Sequence, residues 1–501
     1  MQYIDKVLNR ITMYRLVVYV LGALVSLSLL FALTSRIPFR AEYLVGSLTL
    51  LIGSAYVTDR SLARFLGVPS NRESALITAL ILFFVIQPAH TVSGGLILLL
   101  AGAVSSAGKF LLAWNGKHIF NPAALAAAVV SLTGLQATSW WIGSSAFWPY
   151  MLVLGLLVVR KIRRSALFVV FVASSVLAQY LVFLQQHQLS AANMKHALLT
   201  SPLIFLASIM LTEPATMPPR RNQQMLFAVL VAVLYVTGWK LGPIIIYPEV
   251  ALLLGNIFAF VVSPKFRVRL QLKEVQQVSD RVYNYVFQPD RRFAFIPGQY
   301  MEWTLPNVPY DSRGNRRTFT IASSPTEDEV MVGVKYYEPA STYKATLHQL
   351  KPGAVVYGSQ LAGNFTMQGS EDNKLALIAG GIGITPFRSM VKYLTDHNLQ
   401  SDVVLLYTVS NAQEFAYVKE LKAASAVGVR TIPIVTQPGK ESGSVVHAKL
   451  DVELLAQLIP DYAERIFYVS GPNIMVDATK GYLHYLGVHN SHIHTDHFAG
   501  Y

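Results

Sequence analysis

Long apolar runs fill the first half of the chain and are separated by short polar stretches. Ten of them are candidates for helical spans, beginning near Tyr14, Glu42, Ser74, Val92, Pro122, Trp148, Ala166, His196, Met225 and Pro243. A straight span needs about 20 residues, and some of these runs are shorter. Several contain Gly or Pro, which is tolerated where other protein segments cover the backbone. The pattern predicts an α-helical membrane domain of about ten spans over residues 1–265.

Beyond Arg267 the pattern changes to alternating polar and apolar positions with turn residues between them. The stretches VRLQLKEVQQVSDRVYNYVFQP, PGQYMEWTLP, RTFTIASSP and EVMVGVKYY alternate in this way, which is typical of antiparallel strands. From Lys374 onward, strand-like runs such as KLALIAG alternate with helix-like segments. We therefore expect an antiparallel β-barrel over 266–370 and a doubly wound α/β domain over 371–501, with ligands at the carboxyl ends of its parallel strands.

Charge divides the chain at the same place as hydropathy. Up to Lys265 there are 19 Lys and Arg against 6 Asp and Glu, whereas the remainder has 22 of each. Basic residues beside apolar helices act as orientation signals, while a nucleic-acid interface needs a basic face on a folded domain. We therefore expect membrane lipid as a partner and no nucleic acid.

The positions of the basic residues predict an orientation. If the ten runs are spans, 15 basic residues of the first 265 lie on the side of the N-terminus and 4 on the other. The positive-inside rule then places both termini, and everything after Lys265, in the cytoplasm. The N-terminal stretch is polar and has no small-residue cleavage site, so we expect no removable signal peptide. The predicted location is a multi-pass protein of the cell's inner (plasma) membrane.

Ionisable residues in or beside apolar runs are functional candidates because they are costly in hydrocarbon. They are Glu73, Lys109, His118, Glu213 and Glu249. An interfacial position explains Glu73 and Lys109 equally well. Glu213 lies in MLTEPATMPPRR, where prolines break a helix, and Asn121 in GKHIFNPAALA lies at a predicted helix start. Such a start suits a phosphate or an electron-rich ring edge.

These two stretches, together with NRESALITALILF, resemble the Rnf/Nqr family over about residues 10–263. Its members are the flavin-carrying membrane proteins of the Rnf complexes and of the sodium-pumping NADH:quinone reductases. The resemblance implies a second, membrane-domain flavin (FMN or riboflavin), with Asn121, Thr212 and Glu213 as candidate binding residues.

The mode of flavin attachment is a separate expectation. The family often attaches its flavin to a Thr in a Ser-Gly-Ala-Thr loop. This chain lacks that tetrapeptide, and Thr138 in QATS is the only approximate counterpart. We therefore expect a non-covalent flavin, and a membrane domain without flavin stays an alternative.

The second half carries five motifs in a specific order: PGQY, RRTFTIASSP, GGIGITP, VSGPNIM and the terminal HTDHFAGY. Together they resemble the ferredoxin–NADP reductase family over about residues 270–501. The resemblance implies an FAD-binding barrel followed by an NAD(P)-binding domain. It places Arg317 at the flavin diphosphate, Phe319 against the flavin and Thr320 near its reactive nitrogen. Ser341 and Thr342 begin a predicted helix whose start suits a phosphate.

Candidate residues for the nicotinamide nucleotide follow from the same resemblance. Glycines let a backbone approach a nucleotide closely, and the loop offers Gly380, Gly381, Gly383 and Thr385. The stretch YTVSN lacks the Arg or Lys that would bind a 2′-phosphate, which favours NADH, while nearby Lys440 leaves NADPH open.

The remaining candidates lie in the last 32 residues. Ser470, Gly471 and Pro472 match the family's Cys-Gly-Pro, with Ser in place of a Cys that assists hydride transfer. Asp496 and Phe498 match its terminal acidic and aromatic residues. Tyr501 is either a residue stacked on the flavin or a frayed end. The catalytic candidates are therefore Thr320, Ser470, Asp496 and Phe498.

Metal and thiolate sites are not expected. The chain has no cysteine, which excludes disulfides and thiolate-held clusters. Four histidines lie near the C-terminus, but no set of ligands with zinc spacing accompanies them.

The function predicted from these features is oxidation of cytoplasmic NADH through FAD. Electrons would pass through the membrane flavin to a quinone, or to a flavin or protein on the outer side, with further electron-transport subunits as candidate partners. Two alternatives stay open. One is an NADH-sensing transporter or channel without turnover, and the other is a haem-containing transmembrane reductase, for which the spans offer only loop-proximal histidines.

Overall fold

The structure is a computed structural model of the 501-residue chain. It describes residues 8, 11–68, 72–114, 117–241, 244–263, 266–306, 315–338, 340–367, 373–437 and 445–498. The chain divides into two compact units, Met1–Ser263 and Pro264–Tyr501.

The first unit is helical. Its helices are α1 (Met13–Leu33), α2 (Ala41–Phe65), α3 (Arg72–Val85), α4 (Val92–Leu111), α5 (Pro122–Leu132), α6 (Trp148–Lys161), α7 (Ser165–Gln185), α8 (Ala191–Thr200), α9 (Leu203–Phe205), α10 (Arg221–Thr237) and α11 (Pro248–Val262). A π-helix, Leu206–Met210, continues α9. Two short antiparallel ribbons join helices: β1 (Ala113–Trp114) with β2 (Lys117–His118), and β3 (Lys240–Leu241) with β4 (Ile244–Ile245).

The prediction of about ten spans is wrong for the described residues. Among the helices that the structure describes, only α1, α2, α4 and α7 are long and apolar enough to cross a membrane, at 20 to 25 residues each. The other runs do form helices, but α5 has 11 residues and α11 has 15, which is short of the ~20 that a straight span needs. Four span-length helices indicate a membrane association. The apolar content of the runs was predicted correctly, and their length was overestimated because broken helices were counted as spans.

Six antiparallel strands begin the second unit. They are β5 (Arg267–Ser279), β6 (Val282–Pro289), β7 (Tyr300–Thr304), β8 (Arg316–Thr320), β9 (Val330–Lys335) and β10 (Val355–Ala362), in the order β8-β7-β10-β5-β6-β9. The predicted barrel is a curled sheet, whose edges approach where the Ala322 N–H donates to the Met331 carbonyl at 2.8 Å. Helix α12 (Thr342–His348) lies between β9 and β10 in the chain.

A parallel α/β sheet completes the unit. Its strands are β11 (Leu375–Gly380), β12 (Val403–Val409), β13 (Val429–Val435), β14 (Val446–His447), β15 (Ile466–Pro472) and β16 (Ile493–Phe498), in the order β14-β13-β12-β11-β15-β16. Its helices are α13 (Thr385–Asp396), α14 (Val418–Ala423), α15 (Val452–Leu458) and α16 (Asn473–Tyr485). The central strand β11 is buried along its whole length, as expected for a sheet covered on both faces.

One face of this parallel sheet packs against the curled sheet. The shared core contains Leu377, Tyr407 and Tyr468 of the parallel strands together with Val282 and Phe365. The Tyr468 hydroxyl donates to the Thr366 carbonyl at 3.0 Å. The two sheets therefore share a packed seam inside the second unit.

Candidate functional site

The carboxyl ends of the parallel strands bring the predicted nucleotide residues together. Ser470 of β15 is in register with Ala379 of β11 on one side and with Asp496 of β16 on the other. Paired residues in parallel strands direct their side chains to the same face. Ser470 and Asp496 therefore share the face on which Ala379 contributes to the seam core.

Glycine is required in the turn after β11 because two strand ends meet there. A Cβ on Gly383 would lie 2.3 Å from the Ser470 carbonyl oxygen, and one on Gly380 would lie 2.2 Å from the sulfur of Met475. Gly471 has φ +154°, and a Cβ there would lie 3.1 Å from the Gly380 backbone. Sequence reasoning assigned these glycines to ligand approach, and the structure adds close packing between the two glycine motifs.

The turn leads directly into α13. Gly381 has φ +54°, a conformation that glycine adopts without strain. Thr385 is buried, and its hydroxyl donates to the Ile382 carbonyl at 3.1 Å. This hydrogen bond fixes the start of the helix and uses the one proton of the hydroxyl, whose oxygen can still accept.

Three buried polar atoms at the strand ends have no hydrogen-bond partner among the described residues. They are Ser470 Oγ, Thr408 Oγ1 and Asn411 Oδ1. Thr408 is in register with Gly380, and Asn411 follows two residues after β12. A buried polar group without a partner costs free energy. The strand ends are therefore lined by groups that a polar ligand would satisfy.

Asp496 is a titratable group at this edge. Burial raises the pKa of its carboxyl to about 6, and a backbone hydrogen bond from His497 partly opposes the rise. Phe498 is in register with Pro472 at the last pairing of β15 with β16. The structure thus places three predicted residues, Ser470, Asp496 and Phe498, along one strand pair.

On the curled sheet, the Arg317 motif surrounds Tyr343. The Arg317 guanidinium lies 5.0 Å from the centre of the Tyr343 ring, and the Phe319 ring lies 5.9 Å from it. Thr320 is buried at the end of β8. Sequence reasoning missed Tyr343, although it follows the predicted Ser341 and Thr342 directly.

Ser341 and Thr342 form the start of α12 as predicted. The Ser341 hydroxyl accepts the Lys344 N–H at 3.3 Å and so caps this helix. Ser341 therefore has a structural partner already, and Thr342 is the first helical residue.

A buried ion pair missed by sequence reasoning joins the two sheets beside the glycine turn. Lys335 Nζ of β9 lies 2.8 Å from Glu414 Oε2, which follows β12, and both side chains are about nine-tenths buried. The Lys335 ammonium also lies 4.0 Å from the position that a Cβ on Gly381 would occupy. A cation is thus held at the turn.

A second buried cation fastens α13 to the curled sheet. Arg388 bonds to both carboxylate oxygens of Glu327, and its Nη2 lies 3.2 Å from Glu420. One residue on, the Ser389 hydroxyl donates to the Ser323 carbonyl at 2.6 Å. The helix that begins at the glycine turn is therefore anchored to the curled sheet within its first turns.

Comparison with known proteins shows what this unit is similar to. Residues 377–481 match the oxidoreductase NAD-binding domain family. The chain is 29% identical over 238 residues to the glycine betaine monooxygenase reductase subunit of Chromohalobacter salexigens, covering 46% of this chain and 63% of that protein. It is 24% identical over 243 residues to the flavohemoprotein of Oceanobacillus iheyensis, covering 47% and 58%. The second unit therefore contains an oxidoreductase NAD-binding domain.

A solved structure was also matched. The FAD/NAD-binding domain of nitric oxide dioxygenase from Vibrio cholerae is 22% identical, with a TM-score of 0.41, and the match covers 46% of this chain and 98% of that domain. The chain spans about three fifths of the length of the two curated relatives named above.

The second unit offers two groups of residues that suit nucleotide ligands. Arg317 offers a guanidinium suited to a diphosphate, beside the aromatic rings of Phe319 and Tyr343. The partnerless Ser470, Thr408 and Asn411 atoms suit a nucleotide at the strand ends. These groups therefore suit a diphosphate beside Arg317 and a nucleotide at the strand ends. Tyr501 and Lys440, also considered from the sequence, lie outside the described residues.

In the helical unit, Asn121 and Glu213 are hydrogen-bonded to each other. Asn121 Nδ2 donates to Glu213 Oε2 at 2.9 Å, and the His118 ring nitrogen lies 2.9 Å from Glu213 Oε1. Thr212 is different, because its hydroxyl donates to the Ser208 carbonyl of its own helix at 2.7 Å. Thr212 therefore makes no side-chain hydrogen bond to the other two candidates.

Two further groups belong to the surroundings of Glu213. Lys109 Nζ is buried and has no hydrogen-bond partner among the described residues. The Glu213 and Asp59 charges both act on Lys109, and Asp59 is a buried residue of α2 that sequence reasoning missed. The helical unit therefore contains a cluster of oppositely charged residues, formed by Lys109, Asp59 and Glu213.

A separate cluster surrounds Glu249, which is fully buried at the start of α11. Its carboxylate accepts hydrogen bonds from Ser131 at 3.0 Å, Thr138 at 2.8 Å and Trp140 Nε1 at 2.9 Å. The Thr138 hydroxyl, the approximate counterpart of a flavin-attachment site, is thus engaged with a buried carboxylate. No group of three or more potential metal ligands occurs in the part of the chain that the structure describes.

Proposed function

We propose that this chain is a membrane-bound flavoprotein that oxidises cytoplasmic NADH through FAD. It passes the electrons through a flavin of the helical unit to a quinone or to an acceptor on the outer side. One observation carries the proposal: a single chain joins an NAD(P)H-dependent oxidoreductase domain to a unit with four span-length apolar helices.

Exposed side chains of the helical unit support its place in a membrane. Large apolar residues stand exposed on its helices, among them Tyr19, Leu33, Phe65, Val92, Val153 and Val261. A soluble protein seldom leaves so much apolar surface uncovered. The first 265 residues carry 19 Lys and Arg against 6 Asp and Glu, which suits an anionic membrane surface. The proposal places the oxidoreductase domain on the cytoplasmic side of the inner (plasma) membrane, where NADH is.

The chain's own residues bind, orient and hold protons. Arg317 holds the diphosphate of FAD, and Thr320 donates a hydrogen bond towards the ring. Ser470 orients the nicotinamide from the buried face of β15, and Asp496 holds a proton at its carboxyl up to about pH 6. FAD, when bound, accepts a hydride and releases electrons singly. NADH is favoured over NADPH because YTVSN (407–411) carries no basic residue.

The helical unit receives the electrons. The His118–Glu213–Asn121 cluster supports a flavin site by its polar groups, and the engagement of Thr138 supports non-covalent binding. Because the chain has no cysteine, a thiolate-held cluster within it cannot relay electrons. Transfer is therefore direct between flavins or through further electron-transport subunits.

The decisive experiment measures NADH oxidation by the purified full-length protein, with a soluble quinone as acceptor. We expect turnover with NADH that exceeds turnover with NADPH. Bound FAD without turnover on any acceptor would favour a sensing role instead. A haem absorption band would favour a transmembrane haem reductase.

A second experiment counts flavins. After acid precipitation we expect released FAD together with a second released flavin, FMN or riboflavin. A flavin retained on the precipitated protein would contradict non-covalent binding, and FAD alone would contradict the flavin of the helical unit.

A further inference from the structure

Six basic residues converge at one end of the helical unit. The basic cluster consists of Arg160, Lys161, Arg163, Arg164, Arg220 and Arg221. Four of them end α6 or lie in the turn before α7, and the other two lie at the start of α10. Helices α7 and α10 pack side by side. Arg164 Nη1 donates to Gln224 Oε1 at 3.2 Å, which joins the two segments.

Two helix N-termini lie beside these cations. Arg164 immediately precedes α7 and Arg220 immediately precedes α10, and neither helix has an acidic residue in its first turn. A helix N-terminus carries a partial positive charge, which disfavours cations and favours anions. Residues 158–166 and 217–225 contain no Asp or Glu. The two helix N-termini and the basic side chains therefore act in the same direction on an approaching anion.

The geometry around the cluster is accessible. Arg163, Arg220 and Arg221 are exposed. Gln224 of α10 is buried, and its Nε2 donates to the Pro218 carbonyl at 2.9 Å. The Gln224 side chain therefore bonds to the Pro218 carbonyl through its nitrogen and to Arg164 through its oxygen. These two hydrogen bonds hold the segment before α7 beside the start of α10.

An apolar surface continues from the cluster along the same helices. Leu156 of α6, Val169 of α7, and Leu226 and Val229 of α10 are exposed within three turns of the basic residues. A cationic site next to an apolar surface is complementary to an amphiphile that has an anionic headgroup and apolar chains. Basic pockets between helices at a membrane surface bind anionic lipid headgroups.

We propose that the basic cluster binds the headgroup of an anionic phospholipid, whose acyl chains lie along α6, α7 and α10. An orientation signal accounts for basic residues in each loop separately. It does not account for their convergence on two helix N-termini that lack acidic residues. A lipid phosphate there meets both helix N-termini and the three exposed guanidinium groups together. This site is independent of the proposed electron transfer.

Native mass spectrometry of delipidated full-length protein tests the proposal, with phosphatidylglycerol and phosphatidylcholine of identical chains as probes. We expect at least tenfold preference for phosphatidylglycerol in the wild type. The variant Arg163→Gln/Arg220→Gln/Arg221→Gln should bind it roughly 100-fold more weakly, because each basic residue near an anionic surface contributes about fivefold. The Lys triple variant at the same positions should stay within a few-fold of wild type.

The matched control removes three exposed charges elsewhere: Arg36→Gln/Lys195→Gln/Lys240→Gln. It should leave phosphatidylglycerol binding within a few-fold of wild type. An equal loss in the control, or equal binding of the two lipids, would overturn the proposal. Displacement of the lipid by millimolar inorganic phosphate would overturn it too, since it would assign a site for free phosphate. These readouts do not use NADH oxidation, so their failure is distinguishable from failure of the proposed function.

Discussion

At the scale of single residues, the carboxyl at the edge of the parallel sheet titrates in an accessible range. Burial raises the pKa of Asp496 to about 6, above the ordinary 3.8. Between these values the folded state binds more protons than the unfolded state. Its contribution to the free energy of unfolding therefore falls as pH rises through this window, and stays constant above it.

Asp496→Asn should consequently gain stability relative to wild type as pH rises. We expect the difference in unfolding free energy to grow by roughly 1–2 kcal/mol between pH 5 and pH 8. Thermal unfolding followed by flavin fluorescence measures it, with exposed Asp477→Asn as the control. A difference that is constant across this range would contradict the assignment.

Ser470 and Ser389 are both fully buried, yet we expect their replacement by Ala to have opposite effects on the free energy of unfolding. Ser470 Oγ has no partner within the described chain, whereas Ser389 donates to Ser323. Ser470→Ala should leave the NADH-free protein as stable or up to about 1 kcal/mol more stable, while flavin reduction by NADH slows roughly three- to tenfold. Ser389→Ala should lose about 1–2 kcal/mol.

Thermal melts without nucleotide and stopped-flow flavin reduction separate the two effects. If Ser470→Ala destabilised the NADH-free protein as much as Ser389→Ala does, the hydroxyl would have a partner within the protein and not in the nucleotide.

At the scale of elements, the approach of β11 to β15 depends on Gly383. Its Cβ would lie 2.3 Å from a backbone oxygen that cannot move independently of the strand. Gly383→Ala should cost about 1–3 kcal/mol by overpacking, and we expect at least a tenfold loss of NADH affinity.

Gly481→Ala is the matched control for that variant. Its Cβ would meet no heavy atom within 4 Å inside α16. It should stabilise the protein by about 0.5–1 kcal/mol. NADH affinity is measured by titration of flavin reduction. An unchanged affinity in Gly383→Ala would contradict the need for close approach between the ends of β11 and β15.

The anchoring of α13 is the second prediction at this scale. Arg388→Met leaves Glu327 and Glu420 without their shared cation, and removing one partner of a buried pair costs about 3–5 kcal/mol. Lys392→Met, from a pair on the same helix whose side chains are 29% and 24% exposed, should cost about 1 kcal/mol or less. Chemical unfolding of both variants measures the contrast, and equal costs would contradict the role of Arg388.

These elements also show what the sequence could reveal. Period-two alternation located β5 to β9, and the βα alternation located β11, β12, β13 and β15. Strands β10 and β14 were missed, as was the edge strand β16, whose polar residues show no apolar run. The pairs Arg388–Glu327 and Lys335–Glu414 join residues 61 and 79 positions apart. No local sequence pattern marks contacts between residues so far apart, so the ion pairs that hold the glycine turn against the curled sheet could not be predicted.

At the scale of the whole molecule, the division at Ser263 predicts separable behaviour. Full-length protein should stay in the membrane fraction after alkaline carbonate. A chain beginning at residue 264 should be soluble and should keep FAD and NADH oxidation with ferricyanide. It should lose reduction of a long-chain quinone. Unchanged quinone reduction by the truncated chain would contradict a role for the helical unit in electron transfer.

The number of spans was the main error at this scale. Apolar content alone does not set the length of a helix, and the prolines and glycines that shorten α5 and α11 were visible in the sequence. Short helices can be as apolar as spans, and their length separates the two classes.

Glu249 imposes an order on how its neighbourhood can change over evolution. Its one carboxylate satisfies three donors, contributed by Ser131, Thr138 and Trp140. Losing a donor leaves two hydrogen bonds intact, but losing the acceptor removes three hydrogen bonds in a single step, among them that of the buried Trp140. The donors can be replaced one at a time, and Glu249 only after them. In any lineage descended from this chain, position 249 should therefore be the last of the four to vary.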